Sequence, residues 1–315
     1  MPVDKEILKT GRIFVIYINN SVAENSGAKM VLKVGCHVSI AGSHEKAVER
    51  AEEIGCSTFQ IFTGNPRGWS AKEIDSDSAE KFISAVKVSK IKPVVAHMPY
   101  LPNLATPKPD LYKKSEDVLK REIRRCGLLE IPYLVTHLGS HLGEGREDGI
   151  KRTVDALVSA LESEDNDVLI LLENTSGTKN SVGGTFEDIG EILDKCSKFG
   201  FNSDRIGTCF DTCHAFAAGY NLASEESFYE MIDDYESLIG LKTLKVIHLN
   251  DTKSECGGRL DRHEHIGLGK IGDEGLSRII NHPKLSKLPF ILETPVDDRR
   301  GDRENVAHAR ELFQG

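Results

Sequence analysis

The sequence lacks any apolar run near the ~20 residues that a membrane-spanning helix needs. The longest apolar stretch near its start, IFVIYI at 13–18, is too short for a signal core and has no small-residue cleavage site after it. These absences predict a soluble, cytoplasmic protein with no membrane partner. No CxxC pair occurs, and the seven cysteines fall at irregular spacing. An odd count without a framework excludes a disulfide scaffold or a zinc knuckle, and predicts buried, reduced thiols, the CxxxC of Cys209 and Cys213 included. No GxGxxG follows the first predicted strand, which argues against a dinucleotide fold and a nucleotide cofactor. Basic excess is missing too: the net charge is −9. That argues weakly against a nucleic-acid partner, since phosphate binding usually needs a positive surface.

Low-complexity tracts, linkers and charge blocks are also absent, so the chain reads as one domain. Short β-branched runs alternate with longer amphipathic segments, the pattern of parallel βα units. The predicted strands are 32–39, 58–64, 94–98, 133–139, 168–175, 206–214, 244–251 and 290–296. Between them, Ala47, Val48, Ala51 and Ile54 share a helical face, as do Ile150, Val154, Leu157, Val158 and Leu161. Thr185 and Asp188 resemble a capping box, and Val306 with Leu312 suits a closing helix. Eight strands alternating with helices in 315 residues predict an α/β fold, a closed (β/α)8 barrel. The barrel is expected over 30–315. Residues 1–29 stand outside the repeat as an N-terminal extension.

Nearly every predicted strand ends in a side chain that can bind a metal. His37 closes the first, His97 the third, His137 the fourth and Glu173 the fifth. Asp211 and His214 close the sixth, His248 the seventh and Glu293 the eighth. In a barrel of this kind those ends converge on one mouth. A lone strand-end histidine is usually structural, and a lone carboxylate there often caps the next helix. Several buried together are costly without a cation. In DRHEH (261–265), Asp261 and His263 lie on one side of an extended segment. The candidate ligands are therefore His97, His137, Glu173, Asp211, His214, His248, Asp261, His263 and Glu293. This is too many for one ion and fits two or three. Histidine mixed with carboxylates suits zinc or manganese. The four carboxylates carry −4; three divalent ions would bring +6, leaving the pocket at +2 and attractive to a phosphodiester despite the acidic chain.

From about Lys33 to its end the sequence resembles the endonuclease IV family of AP endonucleases. The resemblance lies in GCHVSIAGS (35–43), FTGNPRGW (62–69), HMPY (97–100), THLGSH (136–141), LLENTSG (171–177), FDTCHAFAAGY (210–220), HLND (248–251), DRHEHIGLGKIG (261–272) and ETP (293–295). It implies a TIM barrel of the xylose isomerase-like type. The implied activity is zinc-dependent hydrolysis of the backbone 5′ to abasic sites in double-stranded DNA, leaving a 3′-hydroxyl and a 5′-deoxyribose phosphate. The implied cluster is trinuclear. His97, His137 and Glu173 hold one zinc, and Glu173 bridges to a second completed by Asp211, His248 and Glu293. His214, Asp261 and His263 hold the third. Glu173 is also the implied catalytic residue, assisting deprotonation of the attacking water. Arg67 and Trp69 match the loop that enters the minor groove, and Tyr100 the residue that helps open the base stack. The chain departs from the family at Leu138, where a proline is common, at Pro66 and Gly68 beside Arg67, and in TKNSVGG (178–184). A monomer is expected. The competing readings are a metal-dependent sugar isomerase or epimerase on the same barrel, and a module that only binds metal or DNA.

Overall fold

The computed structural model describes residues 31–315; the expected extension at 1–29 lies outside them. Strands β1 (Val34–Cys36), β2 (Phe59–Phe62), β3 (Val94–His97), β4 (Tyr133–His137), β5 (Leu169–Glu173), β6 (Ile206–Asp211) and β7 (Leu244–His248) come in turn. A small hairpin of β8 (Asp251–Thr252) and β9 (His263–Glu264) precedes β10 (Phe290–Leu292). The helices are α1 (His44–Ile54), α2 (Ser76–Ser89), α3 (Pro109–Leu128), α4 (Arg146–Ser163), α5 (Phe186–Ser197), α6 (Thr212–Ala218), α7 (Glu225–Leu238), α8 (Gly272–Asn281) and α9 (Asp302–Glu311).

All strands but the hairpin form one parallel sheet in the order β1-β10-β7-β6-β5-β4-β3-β2. Its two edges meet: the Val38 amide donates to the Gln60 carbonyl at 2.8 Å, and the Ser57 amide to the Val34 carbonyl at 2.9 Å. Gly35 makes this seam possible, because a Cβ there would overlap the Thr58 carbonyl oxygen at 1.6 Å. The result is a (β/α)8 barrel of the expected kind. Its larger apolar core lies between sheet and helices, where Ala47, Val48, Ile150, Val154, Leu157 and Val306 are buried.

Inside the barrel, Val95, Val135, Leu171, Cys209, Val246 and Ile291 form a second, separate apolar layer. Side chains alternate along a strand, so two residues further on the chain again faces inward. Those positions are His97, His137, Glu173, Asp211, His248 and Glu293. The pleat therefore stacks a ring of ionisable groups directly on an apolar plug, at the C-terminal mouth.

The first and last predicted strands, 32–39 and 290–296, shorten to Val34–Cys36 and Phe290–Leu292, and three further expectations change. The predicted strand 206–214 ends at Asp211, whose carboxylate accepts the His214 amide at 2.7 Å and caps α6. His214 is thus a first-turn helical residue, because the cap satisfies a free helix amide better than continued strand could. The predicted strand 244–251 stops at His248, and Asp251 enters the hairpin with Glu264. Thr185 caps α5 through the Asp188 amide at 3.4 Å, but the Asp188 carboxylate turns to the Gly183 amide at 2.9 Å and to Arg146. Only half of a capping box forms. Among the described residues no helix is long and apolar enough to cross a membrane.

Candidate metal centre

The nine candidate ligands gather at this mouth. Ligand atoms of His97, His137 and Glu173 lie within 4.8 Å of one another, as do those of Glu173, Asp211, His248 and Glu293. Around the third position, Asp211, His214 and His263 form one such group, and Cys213, Asp261 and His263 another. Asp261 reaches both histidines, 3.2 Å from His214 Nε2 and 3.3 Å from His263 Nε2. Glu173 is fully buried and divides its oxygens. Oε2 faces His97 Nε2 at 3.1 Å and His137 Nε2 at 2.9 Å; Oε1 faces His248 Nδ1 at 2.9 Å.

Backbone and amide partners fix the histidine rings. A carbonyl oxygen only accepts, so a ring nitrogen against one carries a proton. His97 Nδ1 donates to the Met98 carbonyl at 2.7 Å, His214 Nδ1 to the Asn174 carbonyl at 3.0 Å, and His263 Nδ1 to the Glu293 carbonyl at 2.9 Å. His248 Nε2 donates to Gln60 Oε1 at 2.9 Å. In each neutral ring the other nitrogen is left bare, and it points at carboxylates. Among the described residues, His263 Nε2 is buried and unpaired by any well-aligned hydrogen bond, with the Asp261 carboxylate 3.3 Å away. Bare nitrogens opposed to anionic oxygens need a cation between them, and one ring nitrogen tied to a carbonyl is the usual outer support of a metal-binding histidine. The donor set therefore fits divalent ions.

The electrostatics agree. Burial alone would raise the Glu173 carboxyl, but the His137 and His248 charges hold it well below its ordinary range. Glu293 falls to about 2: burial opposes this, and His248 and His97 outweigh it. His263 rises to about 10 against its burial, through the Cys213 side chain and the Asp211 charge. Without ions the site recruits protons onto its histidines to balance its carboxylates. His37 differs: burial lowers it to about 4, only partly offset by Glu293.

The mouth opens as a cavity of about 390 Å³ whose lining includes His37, Phe62, Tyr100, His137, Asp261 and Val296. Tyr100 is 62% exposed there, edge-on to Phe62 with ring centroids 5.1 Å apart. Its amide donates to the Pro66 carbonyl at 3.1 Å, tying it to the loop that carries exposed Arg67. Trp69 does not line this cavity. It is half-buried against the core and borders a separate depression beside Lys108 and Leu111. Helix α3 clamps the loop from beneath: Arg121 donates to the Trp69 carbonyl at 2.6 Å and Arg125 to the Lys72 carbonyl at 2.7 Å.

Sequence reasoning passed over several residues of this site. Asn174 holds Asp211 through its amide and carbonyl, at 2.8 and 3.0 Å. Asn250 donates to Asp211 Oδ2 at 2.8 Å and accepts the Glu293 amide at 2.8 Å. Gln60 contacts His37, His248 and Glu293 together. The available signal was a lone amide in or directly after each apolar strand: the Gln of FQIF, the Asn of LLEN and the Asn of HLND.

A family model described as a xylose isomerase-like TIM barrel matches residues 48–314. A protein named "Probable endonuclease 4" from Methanoculleus marisnigri is 54% identical over 90% of this chain and 99% of its own length. Another of that name, from Nitrosopumilus maritimus, is 51% identical over 89% of this chain and 100% of its own. The crystal structure of endonuclease IV from Thermus thermophilus superposes with a TM-score of 0.78 at 33% identity, covering 89% of this chain and 98% of that one.

Proposed function

Because the chain belongs to the endonuclease IV family of xylose isomerase-like TIM barrels, we propose that it is a metal-dependent AP endonuclease. In this reading it hydrolyses the phosphodiester 5′ to an abasic site in double-stranded DNA, leaving a 3′-hydroxyl and a 5′-deoxyribose phosphate. One observation carries the proposal: bare ring nitrogens of four histidines converge with four carboxylates at one open mouth.

His97, His137 and Glu173 would hold one zinc ion. Glu173, Asp211, His248 and Glu293 would hold a second, and His214, Asp261 and His263 a third; manganese would suit the more oxygen-rich positions. Bound there, divalent ions lower the pKa of water toward ~7 and offset phosphate charge. Glu173 is the catalytic residue. Its two oxygens serve two ligand groups, so it sets their separation, and through the ions it would position it assists deprotonation of the attacking water. Asn174 and Asn250 hold Asp211 and Glu293 so that their carboxylates stay aimed into the mouth. Arg67 and Tyr100 act on the duplex, at the minor groove and the space beside the missing base respectively. A nucleotide without a base costs less to extrude than a paired one, which gives selectivity without reading sequence.

The sugar isomerase alternative is not favoured. Such an enzyme encloses a small sugar, whereas this mouth is rimmed by exposed Tyr100 and Val296, which suits an extended polymer. The test is incubation of the chain with a duplex bearing one abasic site, with metal content measured on the same preparation. Expected is a single cut 5′ to the lesion, a 3′ end that a polymerase extends, and loss of cutting with chelator. Cutting unaffected by chelator, or an intact duplex cut equally well, would overturn the proposal.

A further inference from the structure

Beneath the ring of ionisable groups the inward layer is apolar on six strands. Strand β2 departs from this. Its residue at that level, the Cα partner of Val95, is Gln60, which is fully buried. A buried amide with unused donors is costly, and this one uses both donors and its carbonyl oxygen. Nε2 donates to Glu293 Oε1 at 2.7 Å and lies 3.1 Å from His37 Nδ1; Oε1 lies 2.9 Å from His248 Nε2.

An amide NH2 only donates and an amide carbonyl only accepts. His37 Nδ1 must then be the accepting nitrogen, which puts its proton on Nε2. His248 Nε2 must carry a proton, which leaves Nδ1 bare toward Glu173 Oε1 at 2.9 Å and Glu293 Oε2 at 3.4 Å. Glu293 has Oε1 engaged and Oε2 free. One side chain thus settles three others. We propose that Gln60 is a positioning residue that fixes the tautomers of His37 and His248 and the orientation of Glu293. In doing so it sets the metal affinity of the Glu173–Asp211–His248–Glu293 group. It also keeps a proton on His37 Nε2, and because His37 lines the mouth, that N–H is a donor for a substrate phosphate oxygen. This inference rests on the metal-dependent reading above. An apolar side chain at 60 would strand a partly buried carboxylate oxygen of Glu293 and the fully buried ring N–H of His248 together.

The experiment uses the full chain loaded with zinc and labelled with 15N-histidine. Long-range proton–nitrogen correlation reads which ring nitrogen bears hydrogen, with His37 assigned by loss of its signal in His37→Asn. Zinc retention is measured against a graded chelator for wild type, Gln60→Leu and Gln60→Ala. Expected is the Nε2–H form of His37 in wild type and its loss in both variants. One zinc equivalent should leave roughly 10–100-fold more readily in both, the usual cost of removing an outer support. The other ions should stay, which also shows that the variants fold. A packing role predicts a different result: Gln60→Leu restores the volume and retains zinc like wild type, while only Gln60→Ala suffers. That result, or His37 protonated on Nδ1 in wild type, overturns the proposal. A wild-type chain that binds no zinc would instead sink the metal reading, and the tautomers on the same sample would still decide the role of Gln60.

Discussion

His137 and Glu173 are partners across the β4–β5 ladder, and their side chains meet at 2.9 Å. Neighbouring parallel strands ending level place a histidine and a carboxylate side by side with no loop between them. The ladder that holds the barrel together therefore also sets the spacing of the first ligand group. A site built on strands is held more rigidly than one built on loops.

Metal number follows from the grouping. Four overlapping sets of ligand atoms, two of them sharing His263, fall at three positions and predict about three zinc ions per chain by elemental analysis of protein purified without chelator. A firm value of one would leave most of the buried carboxylates uncompensated and would sink the trinuclear arrangement.

Glu173 is the only member shared by the first two groups. Glu173→Gln keeps the volume but removes the charge that both groups use. Turnover on an abasic duplex should fall by on the order of 10³ or more, since water activation depends on the ions it positions. Duplex binding should largely survive, because the outer loops are untouched. Near-normal single-turnover rates would remove Glu173 from the chemistry.

Much of this site was legible because its chemistry follows strand period. His97, His137, Glu173, His248 and Glu293 each stand at or just beyond the end of an apolar run, and a closed barrel brings such ends together. The extent of the sixth strand was not legible, because Asp211 can end a strand and cap a helix at once, and only the cap geometry separates the two. Gln60 was hidden for another reason. A single polar residue in a short strand reads as outward-facing until the direction of the pleat is known. Trp69 shows the limit of motif reading: its sequence neighbours suggest the mouth, while its ring packs toward α3.

pH should act on the metal-free chain through the same groups. His263 is raised on folding from its ordinary 6.5 to about 10. Its contribution to stability is complete below 6.5 and is lost as pH climbs through about 10. Glu293 is lowered from 4.5 to about 2. Its contribution is complete above 4.5 and is lost as pH falls through about 2. The chelator-stripped protein should therefore melt highest near pH 6.5 and progressively lower toward pH 10; below 6.5 His37, lowered to about 4 on folding, takes stability away as the unfolded chain gains its proton. Zinc competes with protons for the same nitrogens, so its stabilisation should grow over that range. Calorimetry with and without zinc at pH 6, 8 and 9.5 checks this. A zinc-induced rise in Tm that shrinks with pH would contradict it.

We propose that residues 30–315 suffice for activity. No candidate ligand precedes His97, and the barrel seam is closed by residues from Val34 onward. A chain beginning at Met30 should fold and cut abasic duplex within about twofold of full length, the spread expected when nothing at the site changes. Loss of cooperative melting in the shortened chain would assign residues 1–29 a structural role.

The duplex-facing residues divide by burial. Tyr100 is 62% exposed at the mouth, so Tyr100→Ala should leave Tm nearly unchanged. If its ring fills the space beside a missing base, the variant should lose roughly 1–3 kcal/mol of preference for abasic over intact duplex, the range of base–aromatic stacking. Trp69 packs against the core and its carbonyl is held by Arg121. Trp69→Ala should therefore cost roughly 1–3 kcal/mol of stability, a partly buried version of an aromatic deletion. Its effect on DNA should come through displacement of the loop bearing Arg67. Arg67 is exposed and stands at the loop tied to Tyr100, so Arg67→Ala should weaken duplex binding more than it slows saturated turnover. The negative potential of a narrow minor groove favours its guanidinium. Few phosphates would be neutralised by lysine or arginine on a chain of net charge −9, so the salt dependence should be shallow. Binding isotherms over a salt series, with melting curves on the same proteins, separate these roles. If Trp69→Ala loses discrimination at unchanged Tm while Tyr100→Ala keeps it, the tryptophan is the wedge and the division by burial is wrong.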